Sequence, residues 1–157
     1  MATFTAVKNR CGGRGALGGV LRYTQQDEKT LWEGQRLVSG WNCIAQSVLS
    51  EMQLTKERFR KTDGRQYYHF VQSFAETDDL TPQKAHAIAL ELAQREFPNF
   101  EVLVATHIDT DHLHSHLIVN SVSFRDGKKL HQSAADLQAH RTVNDEICAA
   151  HGLAILP

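Results

Sequence analysis

His107-Ile108-Asp109-Thr110-Asp111-His112-Leu113-His114-Ser115-His116-Leu117-Ile118-Val119-Asn120 carries the strongest pattern in the 157-residue chain. Successive side chains in a strand point to opposite faces, so His114, His116, Ile118 and Asn120 share one face while Leu113, Ser115, Leu117 and Val119 share the other. Two imidazoles on one face, about 7 Å apart at their Cα atoms, can reach the same metal ion. His107 ends the preceding strand, Phe100–His107, and supplies a third ligand if that strand pairs with Leu113–Phe124 across the acidic turn. Three facial imidazoles with open positions for water or substrate make a catalytic rather than a structural metal site. Asp109 and Asp111 are suited to orient an imidazole N–H or to add charge near the ion. Buried without partners, so many ring nitrogens in an apolar strand would be costly, which favours ligation. His112 lies near the loop and reads as a supporting or phosphate contact. The remaining five histidines are isolated in sequence, and His86 and His140 fall on helices as ordinary surface residues.

Residues 2–8 alternate well enough for a strand and lead into the basic, glycine-rich segment Arg10-Cys11-Gly12-Gly13-Arg14-Gly15. Leu17, Val20, Leu21 and Thr24 are spaced as in a helix from Ala16 to about Gln26, with Tyr23 near its end. Residues 34–41 read as a loop or short extended piece. Asn42 is placed to N-cap a helix to about Lys61, burying Ile44, Val48, Leu49, Met52 and Phe59. Gln66–Phe74 is a buried strand. Thr81-Pro82 starts a helix to about Phe97, with Ala85, Ile88, Ala89 and Leu92 inward. Arg125-Asp126-Gly127-Lys128 signals a hairpin to a short strand near Lys129–His131, and Ser133 caps a last helix through about Ala150 with Asp136 at its third position. The order β-α-α-β-α-β-β-β-α predicts an α+β fold, a largely antiparallel central sheet flanked by helices.

The length suits one domain, 1–157, and the 41% apolar and 22% charged residues exclude disorder and coiled coil. No apolar run reaches the ~20 residues of a membrane span, and no secretory leader is evident at Met1-Ala2-Thr3. Three widely spaced cysteines suggest neither disulfides nor a thiolate metal site, which fits a reducing cytoplasm. A net charge of -1 speaks against nucleic-acid binding by bulk charge alone, yet residues 1–72 hold eleven Lys and Arg against six acids and residues 73–157 hold six against twelve. Arg10, Arg14, Arg22, Lys29 and Arg36 are available to phosphates in the basic half. Trp32 and Trp41 suit either the core or stacking on unpaired bases. The apolar ending Ala154-Ile155-Leu156-Pro157 suggests the N-terminal portion of a longer protein.

These residues resemble the relaxases, or mobilisation nucleases, of the HUH (histidine, hydrophobe, histidine) endonuclease superfamily. The family's metal block, H-x-D-x-D-x-x-H-x-H-x-x-x-N, is met by His107, Asp109, Asp111, His114, His116 and Asn120. Leu21-Arg22-Tyr23-Thr24 followed by Glu28-Lys29-Thr30 is similar to its nucleophile block, and Tyr68-His69-Phe70-Val71-Gln72-Ser73-Phe74 with Thr81-Pro82 to a third. Together the blocks run from residue 3 to about 124. The resemblance implies a bacterial, cytoplasmic and monomeric enzyme that nicks single-stranded origin-of-transfer DNA, with His107, His114 and His116 on the metal and Tyr23 as nucleophile. It also gives Ser73 a DNA-binding role and implies partners among the accessory DNA-binding and coupling proteins of conjugation; further DNA contacts are expected from Asn120 and, by the charge excess near Tyr23, from Arg10, Arg14 and Arg22. In that reading Tyr23 forms a 5′-phosphotyrosyl intermediate that later reverses.

The chemistry is coherent on its own terms. A phenol with a pKa near 10 is about 0.1% ionised at pH 7 and needs activation. A divalent ion on neutral histidines polarises a phosphate oxygen, and Asp109 or His112 can take the phenolic proton. Imidazole suits Mn²⁺, Zn²⁺, Ni²⁺ or Co²⁺ and Mg²⁺ prefers oxygen, but cellular abundance favours Mn²⁺ or Mg²⁺ in function. The alternatives are a rolling-circle replication initiator, in which the tyrosine usually follows the metal block, a phosphodiesterase using water, and a non-catalytic metal-dependent single-stranded DNA-binding module.

Overall fold

Five strands form the central sheet of the computed structural model, which describes residues 2–8, 12–13 and 15–153. They are β1 (Ala2–Ala6), β4 (Val38–Trp41), β5 (Tyr67–Phe74), β6 (Val102–His107) and β7 (His114–Asn120), in the spatial order β1-β5-β7-β6-β4 with every pairing antiparallel. The helices are α1 (Ala16–Thr24), α2 (Asp27–Thr30), α3 (Val48–Arg58), α4 (Pro82–Glu96) and α5 (Ala134–Ala150); β2 (Leu31–Trp32) and β3 (Gln35–Arg36) pair as a separate hairpin. The expected α+β class is what forms. No helix among the described residues is long and apolar enough to cross a membrane.

Strand alternation sorts the core into two layers. Phe4, Phe70, Val104, Leu117 and Val119 pack with Ile88, Ala89 and Leu92 of α4 and Ile147 of α5. On the opposite face Tyr67, Leu103 and Ile118 meet Leu17 and Leu21 of α1 and Val48 and Met52 of α3. His114 and His116 follow Ile118 onto the α1 face, as their parity requires, and the β6–β7 register places His107 directly across from His114.

The helix caps explain where the elements begin. The Thr81 side chain accepts from Lys84 N at the start of α4, and Ser133 and Asp136 form a reciprocal capping box on α5. Asn42, expected as an N-cap, instead adopts a left-handed backbone at φ 60° and donates through Nδ2 to the carbonyls of Pro98 and Phe100. A 3-10 turn over Ala45–Ser47 follows, and α3 starts only at Val48. Ile44 therefore lies outside the helix and is 62% exposed rather than buried. The expected strand at Lys129–His131 is reduced to a single bridge, Val122 to Lys129.

Candidate functional site

The three histidines meet at the end of the sheet where β6 hands over to β7. Their candidate ligand atoms all lie within 4.8 Å of one another. The ring centroids of His107 and His116 are 4.2 Å apart, and His114 sits 5.0 Å and 5.1 Å from them. His107 and His116 are nearly covered, and His114 is half-buried.

Hydrogen bonds decide which nitrogen each ring presents. His107 Nε2 donates to the carbonyl of Thr24, the last residue of α1, at 2.9 Å, which leaves Nδ1 bare. His114 Nδ1 lies 3.1 Å from the His112 carbonyl and donates to it, leaving Nε2 free. His116 Nδ1 is 2.7 Å from His69 Nε2, and His116 Nε2 is buried with no partner. A bare buried imidazole nitrogen facing two others is the donor set a divalent first-row ion takes. With that nitrogen unprotonated, the His116 proton resides on Nδ1 and is given to His69. Burial, reinforced by His107, His69 and His114, pushes the His116 pKa down to about 2. Burial likewise lowers His107, so these rings stay neutral and competent to ligate at physiological pH.

His69 thus belongs beside the cluster although it looked isolated in sequence. It is 8% exposed, and burial and the nearby His107 lower its pKa to about 4. No alternation rule links residues 47 apart; the β5–β7 pairing does. His86 and His140 are likewise not ordinary surface residues. His86 bridges the hydroxyls of Ser39 and Thr106 at 2.7 and 2.8 Å, and His140 is buried between Glu96 and Gln132, against Phe4, Phe70 and Phe97.

Tyr23, on the last turn of α1, is 51% exposed, and its ring meets His107 edge-on at 6.4 Å. The Lys29 ammonium lies 5.0 Å from the Tyr23 ring centroid and 3.0 Å from Asp109 Oδ2. The bond to Asp109 raises the Lys29 pKa above its ordinary value, with the tyrosine adding to the effect. Burial works the other way on Asp109, yet Lys29 draws its carboxyl below the usual range. The histidine N–H groups therefore go to Thr24 O, His112 O and His69, not to Asp109 or Asp111 as the sequence suggested.

Ser73 is the cross-strand partner of His114 and lies half-buried beside it. Arg22 is exposed next to Tyr23 but lines a different surface cavity with Arg36 and Gln46. Arg10 and Arg14 lie outside the described residues. Asn120 is fully buried at the opposite end of β7. It accepts from Lys56 Nζ and donates to Met52 O at 3.1 Å and Glu101 Oε1 at 2.9 Å, so it bolts α3 to the sheet and offers nothing to DNA. Trp41 is half-buried at the β4 edge and donates to Phe97 O at 3.1 Å.

A family model described as "Relaxase: MobA/VirD2-like, nuclease domain" matches residues 23–153. Among curated relatives, a protein named rlx from Staphylococcus aureus is 39% identical over 117 residues, covering 74% of this chain and 35% of its own length. The group II intron-interrupted relaxase LtrB of Lactococcus lactis subsp. cremoris (strain MG1363) is 34% identical over 74 residues, 46% of this chain and 13% of that protein. The chain spans about a third of the length of the rlx proteins it matches. A structure solved in work on the molecular basis of vancomycin resistance transfer in Staphylococcus aureus shares the fold, with a TM-score of 0.60 over 99% of this chain and 96% of that one at 11% identity.

Proposed function

The chain belongs to the MobA/VirD2-like relaxase nuclease family, and from that premise we propose that it nicks single-stranded origin-of-transfer DNA through a covalent bond to Tyr23. One observation carries this reading: a half-exposed phenol is set edge-on against one of three histidines whose bare nitrogens converge. Tyr23 is tied to that cluster through the backbone, because the next residue's carbonyl holds His107.

The Tyr23 oxygen attacks phosphorus, a phosphotyrosine ester forms at the 5′ side, and the bond to the 3′ oxygen breaks. A divalent ion on His107 Nδ1, His114 Nε2 and His116 Nε2, Mn²⁺ or Mg²⁺ in the cell, would polarise a non-bridging oxygen and stabilise charge at five-coordinate phosphorus. The Lys29 ammonium, 5.0 Å from the Tyr23 ring centroid, screens the charge the phenol oxygen gains, while Asp109, kept ionised by Lys29, fixes that ammonium in place. An ionised carboxylate locked in an ion pair is a weak base, so the phenolic proton goes to the His112 imidazole on the same turn. His112 returns it to the departing 3′ oxygen, and reversal rejoins the strand. Ser73 and Arg22 flank the path of the DNA. In the cell the protein works in the cytoplasm with accessory DNA-binding and coupling proteins of conjugation.

The test is incubation with Mn²⁺ and single-stranded origin DNA from its own element, followed by denaturing electrophoresis. A denaturant-resistant protein–DNA adduct is expected, lost in Tyr23→Phe. An adduct on another tyrosine overturns the assignment of Tyr23, and cleavage without an adduct overturns the covalent mechanism in favour of attack by water.

A further inference from the structure

The charge polarity along the sequence is not the polarity in space. The acidic C-terminal half contributes the turn Arg125-Asp126-Gly127-Lys128-Lys129, and this turn packs against Arg60, Lys61 and Asp63 of the loop after α3. Between them lies a cavity of about 610 Å³ lined by Arg60, Lys61, Asp63, Lys128, Lys129 and His131. Four cations thus surround one opening, and Asp63 is the one carboxylate among the described lining residues. Asp126, nearby, is turned onto its own backbone and accepts from Lys128 N at 3.0 Å.

The two loops are locked together rather than merely adjacent. Lys61 Nζ donates to Gly127 O, and Lys129 Nζ donates to Asp63 O at 2.7 Å. Gly127, at φ 72°, presses on Phe59 so closely that a Cβ there would lie 2.3 Å from the ring. Each latch uses one ammonium proton and leaves the others for the opening. The Arg60 and Lys128 side chains are exposed and take part in neither latch. Beside the cavity, Arg65 stacks over the Tyr68 ring at 4.5 Å, and Lys8 and Arg65 line the next depression.

This end of the sheet is remote from the histidines. β7 runs seven residues from His114 to Asn120, about 20 Å at ~3.4 Å per residue. That distance is roughly six phosphate steps of one strand in a duplex. DNA held only at the histidine end would lie against Asp109 and Asp111, where the Lys29 ammonium is paired with Asp109 and Arg22 is the exposed cation beside Tyr23. A second basic contact adds the affinity that this end supplies poorly.

We infer that this double-loop cradle binds the phosphodiester backbone of the DNA flanking the cleavage site, a second contact about 20 Å along β7 from the histidine end. The inference rests on the nicking reading for its choice of polyanion. Arg60 and Lys128 provide the phosphate contacts, and Lys61 and Lys129 set the cradle's shape and add to its field.

The experiment compares wild type with the double variant Arg60→Gln, Lys128→Gln, which leaves both latches intact. Labelled origin oligonucleotides that span the cleavage site by a few nucleotides are titrated beside ones extended by about twelve on either side. The extensions are supplied both single-stranded and folded as a hairpin, which tells the two forms of flanking DNA apart. For the extended DNA the double variant is expected to bind about tenfold more weakly at ~0.1 M salt, with the slope of log affinity against log salt flattened by one to two. Binding and adduct formation with the short DNA stay unchanged. Equal affinity at every length, or equal weakening on the short DNA, overturns the cradle. An adduct on Tyr23 with unaltered affinity for the extended DNA would remove the cradle and leave the nicking reading standing. No adduct from wild type, with the length-dependent loss still present, would remove the nicking reading and keep the cradle.

Discussion

The two ends of β7 present polar clusters on the same face of the same strand, yet their bonding differs. At one end His116 Nε2 is buried without a partner, and each neighbouring ring holds a nitrogen bare. At the other, Asn120 bonds to Lys56, Met52 and Glu101, and Glu101 takes a further bond from Thr55 at 2.5 Å. An unfinished buried donor set is costly for folding and is kept where a ligand completes it, whereas a finished one holds elements together. Asn120 and His116, four residues apart, fall on opposite sides of that division.

The largest expected effect separates chemistry from metal binding. Tyr23→Phe should eliminate the adduct while titration calorimetry with Mn²⁺ gives an unchanged affinity; a lost affinity would mean the phenol is part of the metal site. Asn120→Ala should destabilise the fold by ~3 kcal/mol in urea, because it leaves the Lys56 ammonium and the Glu101 carboxylate short of a buried partner. Its adduct rate per folded molecule should equal that of wild type, and a rate loss at intact stability would break the contrast between the two ends. Lys29→Met is expected to slow adduct formation about a hundredfold with little change in DNA affinity, the size seen when one donor to a developing oxyanion is removed. His69→Phe should weaken Mn²⁺ binding by about tenfold through loss of the bond that orients His116.

The last effect concerns pH and belongs to the finished end. Burial lowers Lys56 to about 8, with Glu101 opposing and Lys129 assisting. Between pH 8 and its ordinary 10.5 the unfolded chain binds more protons than the folded one, so stability rises with pH across that window. The urea midpoint of wild type should climb there relative to that of Lys56→Met. A parallel course in the two proteins would show that Lys56 is not desolvated as placed.

Alternation in residues 113–120 was enough to put His114, His116 and Ile118 on one face, and the short acidic turn was enough to pair β6 with β7. Neither pattern tells how far along that face a helix covers it. Asn120 is sealed beneath α3 and His116 lies at the open end near α1, a difference set by packing between segments sixty and more residues apart. The same holds for His69, whose partner is fixed by strand order, and for His86, whose two hydroxyl partners come from β4 and β6. Asn42 was misread because its residue type suits both an N-cap and a left-handed turn, and only the carbonyls of Pro98 and Phe100 decide between them.

The turn that carries Asp109 also shapes how the site assembles. Residues 108–113 close β6 onto β7, whereas β1 with β5, β5 with β7 and β4 with β6 each join segments separated by tens of residues. Closing a short loop costs the least chain entropy, and pairings that wait on distant segments come late. The three histidines proposed as ligands sit within this one local hairpin, beside its turn. If they bind an ion as proposed, an ion supplied during refolding is expected to find its three nitrogens, and speed collapse around β6 and β7, before the strand that orients His116 or the helix that bears Tyr23 has docked.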